Sequence, residues 1–245
     1  MFRSVCIVLV ETSHPGNIGA AARAMKTMGL NNLVLVAPKE FPCAEATARA
    51  SGADDVLARA RVVETLSEAI EDCGFIVGAS ARFRSLPWPI VDPRACARTV
   101  REQAADNRVA IVLGPEHSGL TNEDLGRCHQ LVHIPASPEY SSLNLAMAVQ
   151  VLCYELRMAR EEASRTIDAA EPEHREIPLA TADELDGFHQ HMEAVLANVG
   201  FLKPDHPKQL RLRLRRIFHR SHLDQTEINI LRGILAALDP RTRRE

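Results

Sequence analysis

The chain has 245 residues, 46% of them hydrophobic and only 4% aromatic, with a formal net charge of −3. That much Val, Leu, Ile and Ala supports one packed domain and a smaller second unit, and it excludes a disordered chain. The charge balance excludes a polycation, so any nucleic-acid surface must come from local clustering.

Six cysteines, Cys6, Cys43, Cys73, Cys96, Cys128 and Cys153, stand far apart and form no C-x-x-C pair. This pattern predicts free thiols, a reducing cytoplasm and no structural zinc. The first apolar run, residues 5–10, is too short for a signal-peptide core or a membrane span, and no later run is longer.

In chain order, "VCIVLV" (5–10), "NLVLV" (32–36), "GFIVGA" (74–79), "VAIVLG" (109–114) and "QLVHIP" (130–135) are continuous apolar runs. Such runs suit strands covered on both faces, as in a parallel sheet. Helical patterns lie between them at 18–28, 65–72, 94–105 and 121–127, and the longest clean helix runs over 143–162. The alternation predicts an α/β layered domain. The acidic stretch "EEASRTIDAAEPEHREIPLATADE" has Pro172, Pro178 and no apolar period, so residues 163–180 read as a linker. Residues 181–245 then read as a small bundle of about three helices, opened by Thr181 and Glu184 at capping-box spacing.

In an open parallel sheet, ligands bind beyond the carboxyl ends of the strands, so the loops there carry the chemistry. After the first strand, "ETSHPGNIGAAAR" has Pro15, Gly16 and Gly19 to shape a tight turn. Asn17 is placed to cap the helix and Arg23 lies about one and a half turns in. After the third strand, "GASARFRSLPWP" places Arg82 and Arg84 on either side of Phe83. That triplet suits phosphate contact and base stacking, but taken alone it also describes solvated surface arginines. "LGPEHSGLTNEDL" holds Gly114 and Gly119, with Glu116 at its tip. It is neither a P-loop nor a G-x-G-x-x-G turn, and His117 alone reads as a polar loop residue. The last strand feeds "HIPASPEYSSLNLAMAVQ", a rigid polar loop that puts Asn144 at the start of an apolar helix. No metal-ligand spacing and no G-x-S-x-G elbow is present.

Together, "NIGAAAR" (17–23), "LGPEHSGL" (113–120) and "IPASPEYSSLNLAMA" (134–148) resemble the three ordered motifs of the SPOUT superfamily, TrmH branch. "RASGADDVL" (49–57) and "GASARFRSLP" (78–87) are similar to further segments of its TrmJ-type tRNA (cytidine/uridine-2'-O)-methyltransferases. The resemblance covers residues 3–162 well and the C-terminal helices more loosely. It implies an α/β, knotted, parallel-sheet methyltransferase domain over 1–162 and a helical tRNA-binding domain over 181–245. It implies S-adenosyl-L-methionine as methyl donor, a homodimer, no metal, and a target at position 32 of the tRNA anticodon loop. By the same likeness, Ala79, Ser80, Ala81, Gly114, Ile134, Ser141, Ser142 and Leu143 would form the cofactor pocket. Arg23, Asn17, Glu116, Ser142 and Asn144 would form the catalytic set. Two alternatives share these features: a TrmH-type enzyme for another tRNA or rRNA nucleotide, and a non-catalytic RNA-binding protein with this fold.

The C-terminal half adds its own signal. Lys208, Arg211, Arg213, Arg215, Arg216 and Arg220 fall within thirteen residues that contain no acid. Such a cluster predicts contact with RNA phosphates, with Arg82 and Arg84 as further RNA contacts from the first domain.

Overall fold

The strand β1 (Val5–Val10) is buried at all of its positions, which requires cover on both faces. Cover comes from a seven-stranded sheet made of β1, β2 (Leu33–Val36), β3 (Arg61–Val63), β4 (Phe75–Ala79), β5 (Ile90–Val91), β6 (Val109–Leu113) and β7 (Gln130–Val132). The order is β3-β2-β1-β6-β4-β7-β5, and every pairing is parallel. The structure is a computed structural model that describes residues 2–80, 89–165, 177–202 and 208–239. Ala81, Arg82 and Arg84 lie outside the described residues, as does the Lys208 side chain.

The period-two pleat sends alternate residues of β1 into two cores. Val5, Ile7 and Leu9 pack with Ile18 and Met25 of α1 (Pro15–Met28), Val100 of α5 (Pro93–Gln103), and Val149, Leu152 and Leu156 of α7 (Leu145–Arg165). Cys6, Val8 and Val10 pack with Ile70 of α4 (Leu66–Ile70) and Leu125 of α6 (Asn122–Gly126). Truncating one fully buried contact, such as Leu152→Ala, costs about 2–5 kcal/mol.

Two strands and two helices escape the apolar pattern. β3 and β5 are short edge strands, partly exposed and without a continuous apolar run. α2 (Ala44–Ala50) and α3 (Asp54–Ala58) are held by packing on α1 rather than by amphipathic period. At the crossing of α1 and α2 a Cβ on Gly19 would stand 2.0 Å from the Ala46 carbonyl oxygen, so only glycine permits this approach. α1 also starts earlier than its apolar period. Pro15 takes the first helical position, where its fixed φ and missing N–H cost nothing, and His14 precedes it without a side-chain cap. Asn17 therefore sits inside the first turn and does not cap the helix.

The remaining helices, α8 (Ala182–Asn198), α9 (Lys208–Arg220) and α10 (Gln225–Leu238), enclose a small core of Leu185, Phe188, Met192 and Ile228. The Thr181–Glu184 capping box forms as the spacing predicts. Residues 177–180, the end of the expected linker, are anchored. Leu179 N–H donates to Asn107 Oδ1 at 3.0 Å and Ala180 N–H donates to the Leu223 carbonyl at 2.9 Å. No helix among the described residues is long and apolar enough to cross a membrane.

The bundle docks on the sheet through a seam of histidines. His129, just before β7, stacks on Phe75 with ring centroids 5.2 Å apart. His219 of α9 meets His129 edge-on at 4.9 Å and stacks on His189 of α8 at 5.5 Å. Among the described residues, both ring nitrogens of His189 and His219 are buried without a hydrogen-bond partner. Asp186 of α8 bridges Arg127, after α6, and Arg215 of α9. Burial pushes the imidazoles of His129 and His189 down to about 3, with His222 adding to the first and Arg215 to the second. Burial, then His129 and His189, holds His219 well below its usual value.

These imidazoles stay neutral when folded but accept protons when exposed, so the unfolded state binds more protons below its ordinary value of 6.5. Stability is complete above that value and falls as pH drops through the window between 6.5 and about 3. The loss is about 1.4 kcal/mol per pH unit for each proton that the folded state refuses. Urea denaturation of the full chain at pH 7.5 and 5.0 should show this loss, and His219→Phe should reduce it. An unchanged midpoint between the two pH values would rule out a neutral, buried seam.

Candidate active site

The carboxyl ends of β1, β6, β4 and β7 lie side by side, and their loops converge. Glu116, in the loop after β6, reaches the loop after β1. Its Oε2 accepts from Ser13 N–H at 3.0 Å and Ser13 Oγ–H at 2.8 Å. Its Oε1 accepts from Asn17 Nδ2 at 2.8 Å and His14 N–H at 3.3 Å. The amide of Asn17 is thereby oriented with its oxygen free to accept from Asn144 Nδ2, at 2.9 Å. Asn144 Oδ1 in turn accepts from Ala146 N–H at 2.9 Å and caps α7. One run of hydrogen bonds thus ties residues 99 to 127 positions apart in the chain.

Burial alone would raise the Glu116 carboxyl, but the bonds from Ser13 and Asn17 outweigh it and pull the group down to about 2. Glu116 is therefore a fixed anion with its lone pairs occupied, a strut rather than a base.

Beside this strut lies a cavity of about 240 Å³. Leu113, Val132, Leu145 and Ala148 give its lining an apolar part. Ala79 and Ser80 after β4, Gly114 to Gly119 after β6, and Ile134 with Ser141, Ser142 and Leu143 after β7 complete the lining. At Gly114 a Cβ would stand 2.3 Å from the Leu120 backbone nitrogen, so the loop can fold back only over glycine.

The structure brings together Asn17, Glu116 and Asn144, and it groups Ala79, Ser80, Gly114, Ile134, Ser141, Ser142 and Leu143 around the cavity. It does not bring Arg23 into the lining. Arg23 is exposed on α1, about 9 Å along the axis from Asn17. Ser13 escaped the sequence pattern, because a lone serine in "ETSHPG" carries no period that marks it as a partner of Glu116. Leu145 and Ala148 carried a signal, the i, i+3 face of α7, but it read as core. No group of three or more His, Cys, Asp or Glu among the described residues is arranged to hold a metal.

A model of the SpoU rRNA Methylase family matches residues 4–154, and one of the tRNA methyltransferase TrmJ C-terminal domain matches residues 183–245. A TrmJ from Salmonella choleraesuis, named a tRNA (cytidine/uridine-2'-O-)-methyltransferase, is 50% identical over 243 residues, 99% of each chain. The chain belongs to the SpoU methylase family, in its TrmJ group. A Pseudomonas aeruginosa TrmJ named for cytidine, uridine and adenosine is 52% identical over 96% of this chain and 93% of its own. The crystal structure of TrmJ from Z. mobilis ZM4 superposes with a TM-score of 0.83 at 35% identity, covering 95% of this chain and 98% of that one.

In this TrmJ-group chain the basic helix α9 is divided by its surroundings. Arg215 is 19% exposed and engaged with Asp186 at 2.7 Å, so it faces the seam. Arg211 is exposed but pairs with Glu193 at 3.3 Å. Arg213 and Arg220 are exposed and make no ion pair among the described residues. Arg216 is half-buried.

Glu116→Gln keeps the shape of the strut but removes its charge. The carboxylate is half-buried and partly screened by solvent, so the expected cost is of order 1 kcal/mol at pH 7. A group with a depressed folded value stabilises above its unfolded value of 4.5 and loses that effect as pH falls toward about 2. Thermal unfolding of the two proteins should therefore differ at pH 7 and converge in acid. A difference that persists at pH 2 would mean the charge is not what matters.

Proposed function

We propose that this chain is a tRNA 2'-O-ribose methyltransferase that uses S-adenosyl-L-methionine and acts on cytidine and uridine at position 32 of the anticodon loop. The observation that carries this reading is the Glu116–Asn17–Asn144 network, which closes three motifs around one cavity. The cavity suits the cofactor chemically: an apolar part of its lining for a heterocycle, with serine hydroxyls and backbone groups of residues 134 and 141–143 at its edge. When bound, the cofactor supplies an activated methyl group on a sulfonium.

A ribose hydroxyl attacks well only as its proton leaves. Glu116 is a poor acceptor, since its oxygens are occupied and its carboxyl is held near about 2. Arg23 stays protonated, so its part is to hold an RNA phosphate or stabilise the developing alkoxide. An RNA phosphate oriented by Arg23 is the acceptor that this set favours. Asn17 positions the ribose, and Ser142 lines its path. Arg213 and Arg220, with Arg211 exchanging Glu193 for a phosphate, form the tRNA surface of α9, while Arg215 belongs to the docking seam. Arg82, Arg84 and Lys208 remain part of this reading on sequence grounds.

Two further features belong to it. β7 lies between β4 and β5, which are joined by residues 80–89 alone. That insertion of β7 between two strands consecutive in the chain, together with the motif after β7, supports a trefoil knot. On α7, Met147 and Tyr154 are exposed, with the half-buried Val151 and Met158 on the same stripe. That stripe supports a homodimer contact. A tRNA substrate supports a cytoplasmic location.

Three measurements test the reading. Ribose-methylation mapping of tRNA from cells lacking the protein should reveal one lost methyl, at position 32, and retention of that methyl would refute the assignment. Arg23→Ala should lower kcat on the order of a hundredfold or more while both ligands still bind. Arg213→Ala with Arg220→Ala should weaken tRNA binding and flatten its salt dependence, each lost phosphate contact lowering the slope by about one. An unaltered salt slope would place the RNA elsewhere.

A further inference from the structure

The loop between β7 and α7 presents one side chain that the network and the cavity do not use. Tyr140 is 80% exposed. Its backbone is fixed, because Tyr140 N–H donates to the Ser137 carbonyl at 3.0 Å and Glu139 N–H to Ser137 Oγ at 3.3 Å. Its hydroxyl has no hydrogen-bond partner among the described residues. The next three residues, Ser141, Ser142 and Leu143, line the cavity, so the backbone of Tyr140 adjoins its rim and the exposed ring is carried by the segment that leads into it. Exposing an aromatic ring on a rigid polar loop gains nothing for stability.

The substrate explains the placement. Methyl transfer to a 2'-oxygen brings that ribose to the mouth, and the nucleobase is bonded to the adjoining ribose carbon. The base must leave its stack for the ribose to enter, and a π surface must replace the one it loses. Recognition cannot rest on a single edge contact, because cytosine offers an amino donor where uracil offers a carbonyl acceptor. A site built to hydrogen-bond one of them rejects the other. A ring face is shared by both. The other exposed aromatic described in the first domain, Tyr154, lies more than two turns into α7, away from the mouth.

We infer that Tyr140 is the stacking platform for the target nucleobase, and that it allows one site to take either pyrimidine. This rests on the tRNA methyltransferase reading above. A purine has the same kind of face, so an adenosine target is accommodated by the same device.

The test uses the full chain with unmodified tRNA transcripts that carry cytidine or uridine at the target position. Tyr140→Leu should raise KM for tRNA or lower kcat/KM on the order of 10- to 100-fold, equally for both bases, with S-adenosylmethionine affinity unchanged. Tyr140→Phe and Tyr140→Trp should restore activity, which a hydroxyl contact would not allow. Four results would overturn the inference: normal kinetics for Tyr140→Leu, no rescue by Phe, unequal loss on the two bases, or a changed sedimentation coefficient for Tyr140→Leu, which would assign the ring to a subunit contact. Failure of the wild-type chain to methylate either transcript would instead remove the underlying reading, and this inference with it.

Discussion

A carboxylate near the protein surface keeps its charge most cheaply when donors converge on it, and Glu116 has four such donors at the loop after β1. Everything at the carboxyl end of the sheet depends on that convergence. It orients Asn17, which leaves the Asn17 oxygen to take Asn144, which in turn sets the start of α7. The cavity wall of residues 141–143 is the segment just before that helix start, so its position follows from the same bonds. A polar network of this kind specifies one arrangement because each partial alternative leaves a buried or charged group unmatched.

The second constraint is the seam between sheet and bundle. The buried imidazoles of His189 and His219, whose nitrogens have no partner among the described residues, are compatible with folding only while they are neutral, so they act as apolar rings with a conditional charge. Beside them, Asp186 holds Arg127 and Arg215. Arg127 directly follows α6, and α6 follows the cavity loop of residues 114–120, so the seam lies one short helix from the pocket in the chain. The cations of α9 thus divide: Arg215 faces inward and fixes the bundle, while Arg213 and Arg220 face solvent.

The division between what was legible early and what was not follows physical lines. Continuous apolar runs marked β1, β2, β4, β6 and β7, because strands covered on both faces have no polar positions. The capping box at Thr181 and Glu184 was readable because it is local. The three motifs were readable because glycine, proline and asparagine stand where backbone geometry or a cap demands them. The edge strands β3 and β5 and the short helices α2 and α3 were not, since they are held by neighbours rather than by their own period.

The sequence by itself determined the parallel α/β layering and the helical C-terminal unit, because each rests on short-range pattern, while the family resemblance pointed to part of the cavity lining. Only the tertiary structure decided the pairings. Ser13 meets Glu116 across 103 positions, and Asn17 abandons a capping role for a carboxylate. Arg215 turns inward to Asp186 while Arg213, two residues away, stays in solvent. Partner choice between distant polar groups depends on which of them the packed sheet brings within hydrogen-bond reach. One-dimensional spacing carries no such information.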